Sequence, residues 1–149
     1  MKKLAIMAAL AVAAVSASAV EVGVRGTHTG DAVADSVGVT VGQKFGAVGV
    51  EGTFDRSTRG AVNTNRFGLV GGYDVAKVAG ITVTPKVGVA FIDPANSGLN
   101  GYAASVGVGA SLPLTAKVSL VADYAYQRGQ DRVRAFNGNQ VSVGAKYSF

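Results

Sequence analysis

The single histidine of the chain is the first side chain to consider for chemistry. His28 is followed by Asp31 and Asp35, and an imidazole near carboxylates could transfer protons or hold a metal ion. A metal site needs roughly four such ligands, and a hydrolase needs a nucleophile, a base and an orienting acid. The sequence has no cysteine, no P-loop and no zinc-ligand spacing. We therefore predict that the protein is not an enzyme and that it holds no metal and no cofactor.

Charged side chains inside apolar segments form the second candidate. Four cations and three anions have this placement: Glu21, Arg25, Glu51, Arg66, Lys86, Asp123 and Lys146. Buried charges persist only when they are paired and hydrogen-bonded, so we predict an ion-pair network. That network either fills and orients an interior, or it gates a narrow ion path by exchanging partners. Both roles require elements that turn all seven side chains inward.

Eight segments of alternating apolar and polar residues supply those elements, since a period of two is typical of a strand with two unlike faces. The predicted strands cover residues 20–28, 37–45, 47–55, 66–74, 81–91, 102–112, 117–127 and 141–149. Long and short breaks alternate between them, which predicts an all-β fold, a closed antiparallel up-and-down barrel of eight strands. Pro85 interrupts the fifth segment, where a bulge or a late strand start would accommodate it.

The aromatic residues indicate which solvent the apolar face meets. Ten of the 11 lie on that face: Phe54, Phe67, Phe91, Tyr102, Tyr124 and Tyr126 towards the long loops, and Phe45, Tyr73, Tyr147 and Phe149 towards the short turns. Two aromatic girdles around an aliphatic band are typical of two lipid–water interfaces. The opposite face is rich in Gly, Ser and Thr, which suits a narrow interior filled by side chains. We predict that the apolar face contacts lipid; a soluble periplasmic ligand-binding barrel, apolar inside, is an alternative.

The first 19 residues have the three-part pattern of a secretory signal peptide. Lys2 and Lys3 precede an apolar run from Leu4 to Val15 and the small-residue site 17–19. The run is too short for a spanning helix, so we predict cleavage after Ala19 and one barrel domain over residues 20–149. The formal net charge of +5 is scattered rather than gathered in one stripe, which argues against a nucleic-acid partner.

The last hairpin, LTAKVSLVADYAYQRG…NQVSVGAKYSF, carries a family resemblance. The chain resembles the small eight-stranded outer-membrane proteins of Gram-negative bacteria, of the OmpX, OmpA-barrel and opacity-protein type. A final strand that ends in Phe149, with Tyr147 two residues earlier, is similar to the assembly signal of that family. The resemblance implies a monomer in the bacterial outer membrane with both termini periplasmic, recognised by the barrel-insertion machinery.

Arginines are concentrated in two of the long loops: Arg56, Arg59, Arg128, Arg132 and Arg134. Guanidinium groups match phosphate geometry, so above the outer girdle they would contact lipopolysaccharide or a host-surface molecule, or they are simply solvated. The predicted function is a structural or surface-interaction role in the outer membrane. A narrow porin-like channel for ions or small solutes is the alternative.

Overall fold

The computed structural model describes residues 19–30, 34–57, 63–95 and 100–149, except the side chains of Ala34, Asp131 and Arg132. The predicted signal peptide, apart from Ala19, lies outside the described residues, as do Asp31 and Arg59. Within the described ranges, no helix is long and apolar enough to cross a membrane.

The alternating segments form strands that close into a barrel. The strands are β1 (Val20–Thr29), β2 (Ala34–Phe45), β3 (Val48–Ser57), β4 (Thr64–Tyr73), β5 (Ala76–Val78), β6 (Ile81–Pro94), β7 (Gly101–Pro113), β8 (Val118–Gly129) and β9 (Gly138–Ser148). Neighbours pair antiparallel in chain order, β1 pairs with β9, and β4 pairs directly with β6. The closed barrel wall therefore has eight strands, which confirms the predicted fold class.

The short strand β5 is an addition to the predicted pattern, since residues 75–80 were expected to form a turn. It pairs only with the start of β6 and extends the hairpin below β4. Val78 and Ile81 are paired, so Ala79 and Gly80 form a two-residue loop. Both have positive φ, 50° and 84°, as a type I′ hairpin turn requires.

Pro85 lies inside β6, which begins at Ile81, so the late strand start considered above is wrong. The ladder passes from the pair Gly72–Lys86 to the pair Ala76–Val83. Residues 73–75 thus lie opposite residues 84 and 85 of β6. One extra residue on one side of a ladder is a β-bulge. The bulge interrupts the ladder beside the proline, which has no N–H to donate.

The barrel is polar inside and apolar outside. Among the described residues, the buried hydrophobic side chains are Ala90, Ile92, Ala103 and Val133. The buried polar and charged ones are more numerous: Thr27, Thr29, Thr40, Glu51, Thr53, Asp55, Thr64, Gln127, Gln140 and Ser142. Glycines let the wall close tightly; a Cβ at Gly144, for example, would collide with the carbonyl oxygen of Val24 on β1. The same narrow interior brings the charged side chains together.

A 3₁₀ helix, Asp131–Phe136, lies between β8 and β9, where the sequence predicted only a long loop. Its Val133 is fully buried and packs with Phe136 against Ile92 and Ala103. Gln127 donates from Nε2 to the carbonyl oxygen of Phe136 at 2.9 Å. These four residues, Ile92, Ala103, Val133 and Phe136, are called the mouth cap below.

Candidate functional site

The lumen nearest the chain termini contains the lower cluster, Glu21, Glu51 and Lys146. The Lys146 ammonium group donates a hydrogen bond to Oε2 of Glu51 and lies 3.6 Å from Oε2 of Glu21. The three side chains come from β9, β3 and β1, and all are largely buried. One ammonium group thus balances two carboxylates on strands that are distant in sequence.

A second ion pair, Lys86–Asp123, links β6 and β8 over the inner face of β7, beside Gly109. Lys86 Nζ donates to Oδ1 of Asp123 at 2.5 Å. Lys86 and Glu51 both border the cavities above and below this level. The pair and the lower cluster thus both contribute to the walls of these cavities.

The upper cluster, Arg25, Asp55, Arg66 and Gln140, lies nearer the long loops. Arg25 donates from Nε and Nη2 to the two oxygens of Asp55, at 2.9 and 2.6 Å. Arg66 donates from Nη1 to Oε1 of Gln140 at 2.8 Å. All seven predicted lumen charges thus point inward, although Arg66 binds an amide rather than a carboxylate.

Three further charged residues are absent from the predicted set: Asp55 in the upper cluster, and Lys44 and Asp74 towards the short-turn mouth. Asp55 continues the inward alternation of Glu51 and Thr53, and this periodicity would have identified it. Lys44 donates to Oδ2 of Asp74 at 2.9 Å, and Thr84 donates to its Oδ1 at 2.6 Å. No periodicity places Asp74, because it follows the end of β4 at the bulge.

Asp74 lies outside the spanning strands, at the short-turn mouth of the barrel. Burial alone would raise the pKa of this carboxyl, but the hydrogen bonds from Lys44 and Thr84 and the nearby ammonium charges lower the pKa below its ordinary value of 3.8. A carboxyl whose pKa is lower in the folded state stabilises the fold above its unfolded pKa. That contribution disappears as the pH falls from about 4 through the folded pKa.

The substitution Asp74→Asn tests this contribution. We expect the variant to lose about 1 kcal/mol of unfolding free energy at pH 7, the value of a half-exposed ion pair with one added hydrogen bond. We also expect the unfolding free energy of the variant to fall less between pH 5 and pH 2 than that of wild type, as measured by urea titrations of the barrel in micelles. Lys44→Met should reduce the acid sensitivity in the same direction. Identical acid sensitivity in all three proteins would contradict the assignment.

The described residues enclose two small cavities between the charged side chains of the lumen. The one nearer the short turns has a volume of about 60 Å³ and the one nearer the long loops about 40 Å³. A buried water molecule needs a cavity of about 10–15 Å³, so each cavity has room for a few waters. The mouth cap lies over the long-loop end of the lumen.

The ten predicted girdle residues lie on the outer wall, whereas Phe136 belongs to the mouth cap. Phe54, Phe67, Phe91 and Tyr102 occupy directly paired positions on four neighbouring strands towards the long loops. At the other end, Tyr147 and Phe149 are in edge contact, with ring centroids 5.0 Å apart, and Phe45 and Tyr73 are exposed. Tyr126 is exposed beside the Asn139 position of β9. Tyr124 lies near the middle of β8, with its hydroxyl donating to Oδ1 of Asn139 at 2.9 Å.

The predicted loop arginines are not all brought together. Arg128 and Arg134 border one recess on the outer wall beside Tyr102, whereas Arg56 borders an apolar groove beside Phe54. Arg59 and the side chain of Arg132 are not among the described parts. Two of the five arginines therefore share a surface.

His28 and Asp35 meet at the long-loop rim, where Nδ1 and Oδ1 are 2.7 Å apart and both side chains are exposed. In the part of the chain that the structure describes, no group of three or more His, Cys, Asp or Glu residues could hold a metal ion. The pair is an exposed contact between neighbouring strands.

Comparison with known proteins finds similarity in structure. No protein-family model matches the sequence, and no curated protein matches it at a significant level.

The N-terminal β-barrel domain of Pseudomonas aeruginosa OprF is one similar structure, with a TM-score of 0.72 and 18% identity over 89% of this chain and 98% of that domain. Neisserial surface protein A has a TM-score of 0.66 and 13% identity over 88% and 96%. The Yersinia pestis outer membrane protein Ail, in a phospholipid nanodisc, has a TM-score of 0.61 and 14% identity over 89% and 100%. The chain therefore has the closed eight-stranded barrel fold of small outer-membrane proteins, and the predicted resemblance is confirmed at the level of the fold.

Proposed function

We propose that this protein is an integral barrel of the bacterial outer membrane with a structural or surface-interaction role. The observation that carries the proposal is the reversed polarity of the barrel. Val24, Val87 and Val143 have 61%, 64% and 61% of their surfaces exposed, while carboxylates and guanidinium groups lie inside. An apolar surface encircling the barrel would be unstable in water and is stable in lipid. This polarity argues against the soluble periplasmic barrel.

The ion-paired interior favours a structural role over transport. Ion pairs cross the interior, and the cavities between them have room for only a few water molecules. The mouth cap adds a hydrophobic seal near the long loops. A narrow channel is the second candidate, because the two cavities share the lining residues Glu51, Val70 and Lys86. Planar-bilayer recordings distinguish the two: steady wild-type conductance would favour the channel.

Both termini are assigned to the periplasm in this proposal, because long loops face outward in barrels of this type. Arg128 and Arg134 would then lie at the outer surface, where lipopolysaccharide phosphates or a host-surface group could bind them. Tyr147 and Phe149, exposed in edge contact at the chain end, would be recognised by the barrel-insertion machinery. The protein would act as a monomer.

The substitution Val87→Lys tests contact with lipid. Val87 lies within the aliphatic band, and a lysine facing lipid near mid-depth destabilises a barrel by about 2–4 kcal/mol. Val78→Lys is the matched control: Val78 is similarly exposed, at 65% against 64%, but it lies in β5 beside the short turn. We expect a loss of at most about 1 kcal/mol there, measured by urea unfolding in lipid vesicles. Equal, small effects of both lysines would contradict a lipid-facing band.

A further inference from the structure

The upper cluster contains one more cation than anion. Arg66 lies directly opposite Asp55 in the β3–β4 ladder, but both oxygens of Asp55 accept hydrogen bonds from Arg25. The side-chain partner of Arg66 is the neutral amide of Gln140, at 2.8 Å. Two guanidinium groups therefore share one carboxylate, and the cluster has a net charge of +1.

Arg66 also has a buried donor that is not satisfied. Its Nε has no hydrogen-bond partner among the described residues. The hydroxyl of Thr27 is likewise buried and unpartnered there, and both side chains border the cavity of about 40 Å³. A buried charged donor without an acceptor is strongly unfavourable. The cavity thus combines excess positive charge with donors that need an acceptor.

The rest of the cavity wall suits an anion of small size. Ser105, Ser142 and Gln140 also line the cavity, and their hydroxyl and amide groups are able to donate hydrogen bonds. The bordering carboxylates are already bound to cations, Glu51 to Lys146 and Asp123 to Lys86. A volume of about 40 Å³, room for a few water molecules, accommodates a small anion together with a water molecule.

We propose that this cavity, bordered by Arg66 and Thr27, binds a chloride ion. Chloride accepts hydrogen bonds without donating any, so it satisfies the Arg66 Nε–H and the Thr27 hydroxyl together. It also neutralises the net charge of the upper cluster, which a water molecule does not do. The site is independent of the role of the outer wall, because it lies entirely within the lumen.

The first test compares barrel stability in sodium chloride and in sodium gluconate at equal ionic strength, since gluconate is too large for the cavity. A ligand that binds only the folded state raises the equilibrium constant for folding. At ligand concentrations well above the dissociation constant, that rise is proportional to the ligand concentration. We expect a tenfold rise in chloride to increase the folding constant of wild type by up to about tenfold. Arg66→Gln should lose this dependence, whereas Lys77→Gln, at an exposed lysine of β5, should retain it.

The second test does not require a folded variant. Crystals of the wild-type barrel grown in sodium bromide should show an anomalous bromide peak beside Arg66 Nε. Absence of that peak, or equal stability of wild type in chloride and gluconate, would overturn the proposal. Retention of the full chloride dependence in Arg66→Gln would also overturn it.

Discussion

Replacement of Lys146 by methionine is expected to lower the free energy of unfolding by about 3–5 kcal/mol, the usual loss when one partner of a buried ion pair is removed. Lys146 is the cation of the lower cluster, in contact with Glu51 and 3.6 Å from Glu21. Methionine has a similar length but no charge, so both carboxylates would remain buried without their counter-ion. Urea unfolding of the barrel in micelles at pH 7 measures the loss.

Two comparisons separate the ion pair from a general effect of the substitution. Lys77→Met changes an exposed lysine of β5 and should alter stability by at most about 0.5 kcal/mol. Adding Glu51→Gln to Lys146→Met should recover part of the loss, because one uncompensated carboxylate disappears. A Lys146→Met protein as stable as Lys77→Met would show that the lower cluster does not stabilise the barrel.

Replacement of Val133 by aspartate is expected to release the mouth cap. Val133 is fully buried against Ile92 and Ala103. Loss of this buried apolar side chain lowers the free energy that holds the cap closed by about 1.5–3 kcal/mol. A carboxylate at the same place adds the penalty of an unpaired buried charge. A total above about 3 kcal/mol corresponds to more than about 100-fold in the opening equilibrium.

Trypsin cleavage after Arg134 measures this opening, because the 3₁₀ helix must leave the mouth before a protease can bind it. We expect Val133→Asp to be cleaved more than about 100-fold faster than wild type. Ala135→Asp is the matched control, since Ala135 is an exposed residue of the same helix and should leave the rate nearly unchanged. Similar cleavage rates in the two variants would mean that Val133 does not hold the cap in place.

The sequence alone determined the barrel and the faces of its strands. Alternation in a strand is a local property with a period of two, so Val24 and Arg25 are assigned to opposite faces without knowledge of any partner strand. The strand number and the inward direction of the seven charges followed from the same periodicity. The predicted strand ends lie within three residues of the observed ones, because frayed ends have weaker patterns than strand centres.

The partners of the charges could not be read from the sequence in this way. Lys146 meets Glu51 from 95 residues away, and Arg25 binds Asp55 while Arg66, directly opposite that carboxylate, does not. The pairing of these charges depends on strand register and on how far each side chain extends across the closed lumen. The alternation of residues along one strand contains no information about either.

The mouth cap shows the same limit in a segment without periodicity. Phe136 was the one aromatic residue that did not fit the outer face, and it packs into the cap with Val133. A loop becomes buried only when other strands present an apolar surface to it, here Ile92 and Ala103. The sequence therefore determined the wall of the barrel, a matter of local alternation, and the tertiary structure alone decided how its interior is paired and closed, because those contacts join residues distant along the chain.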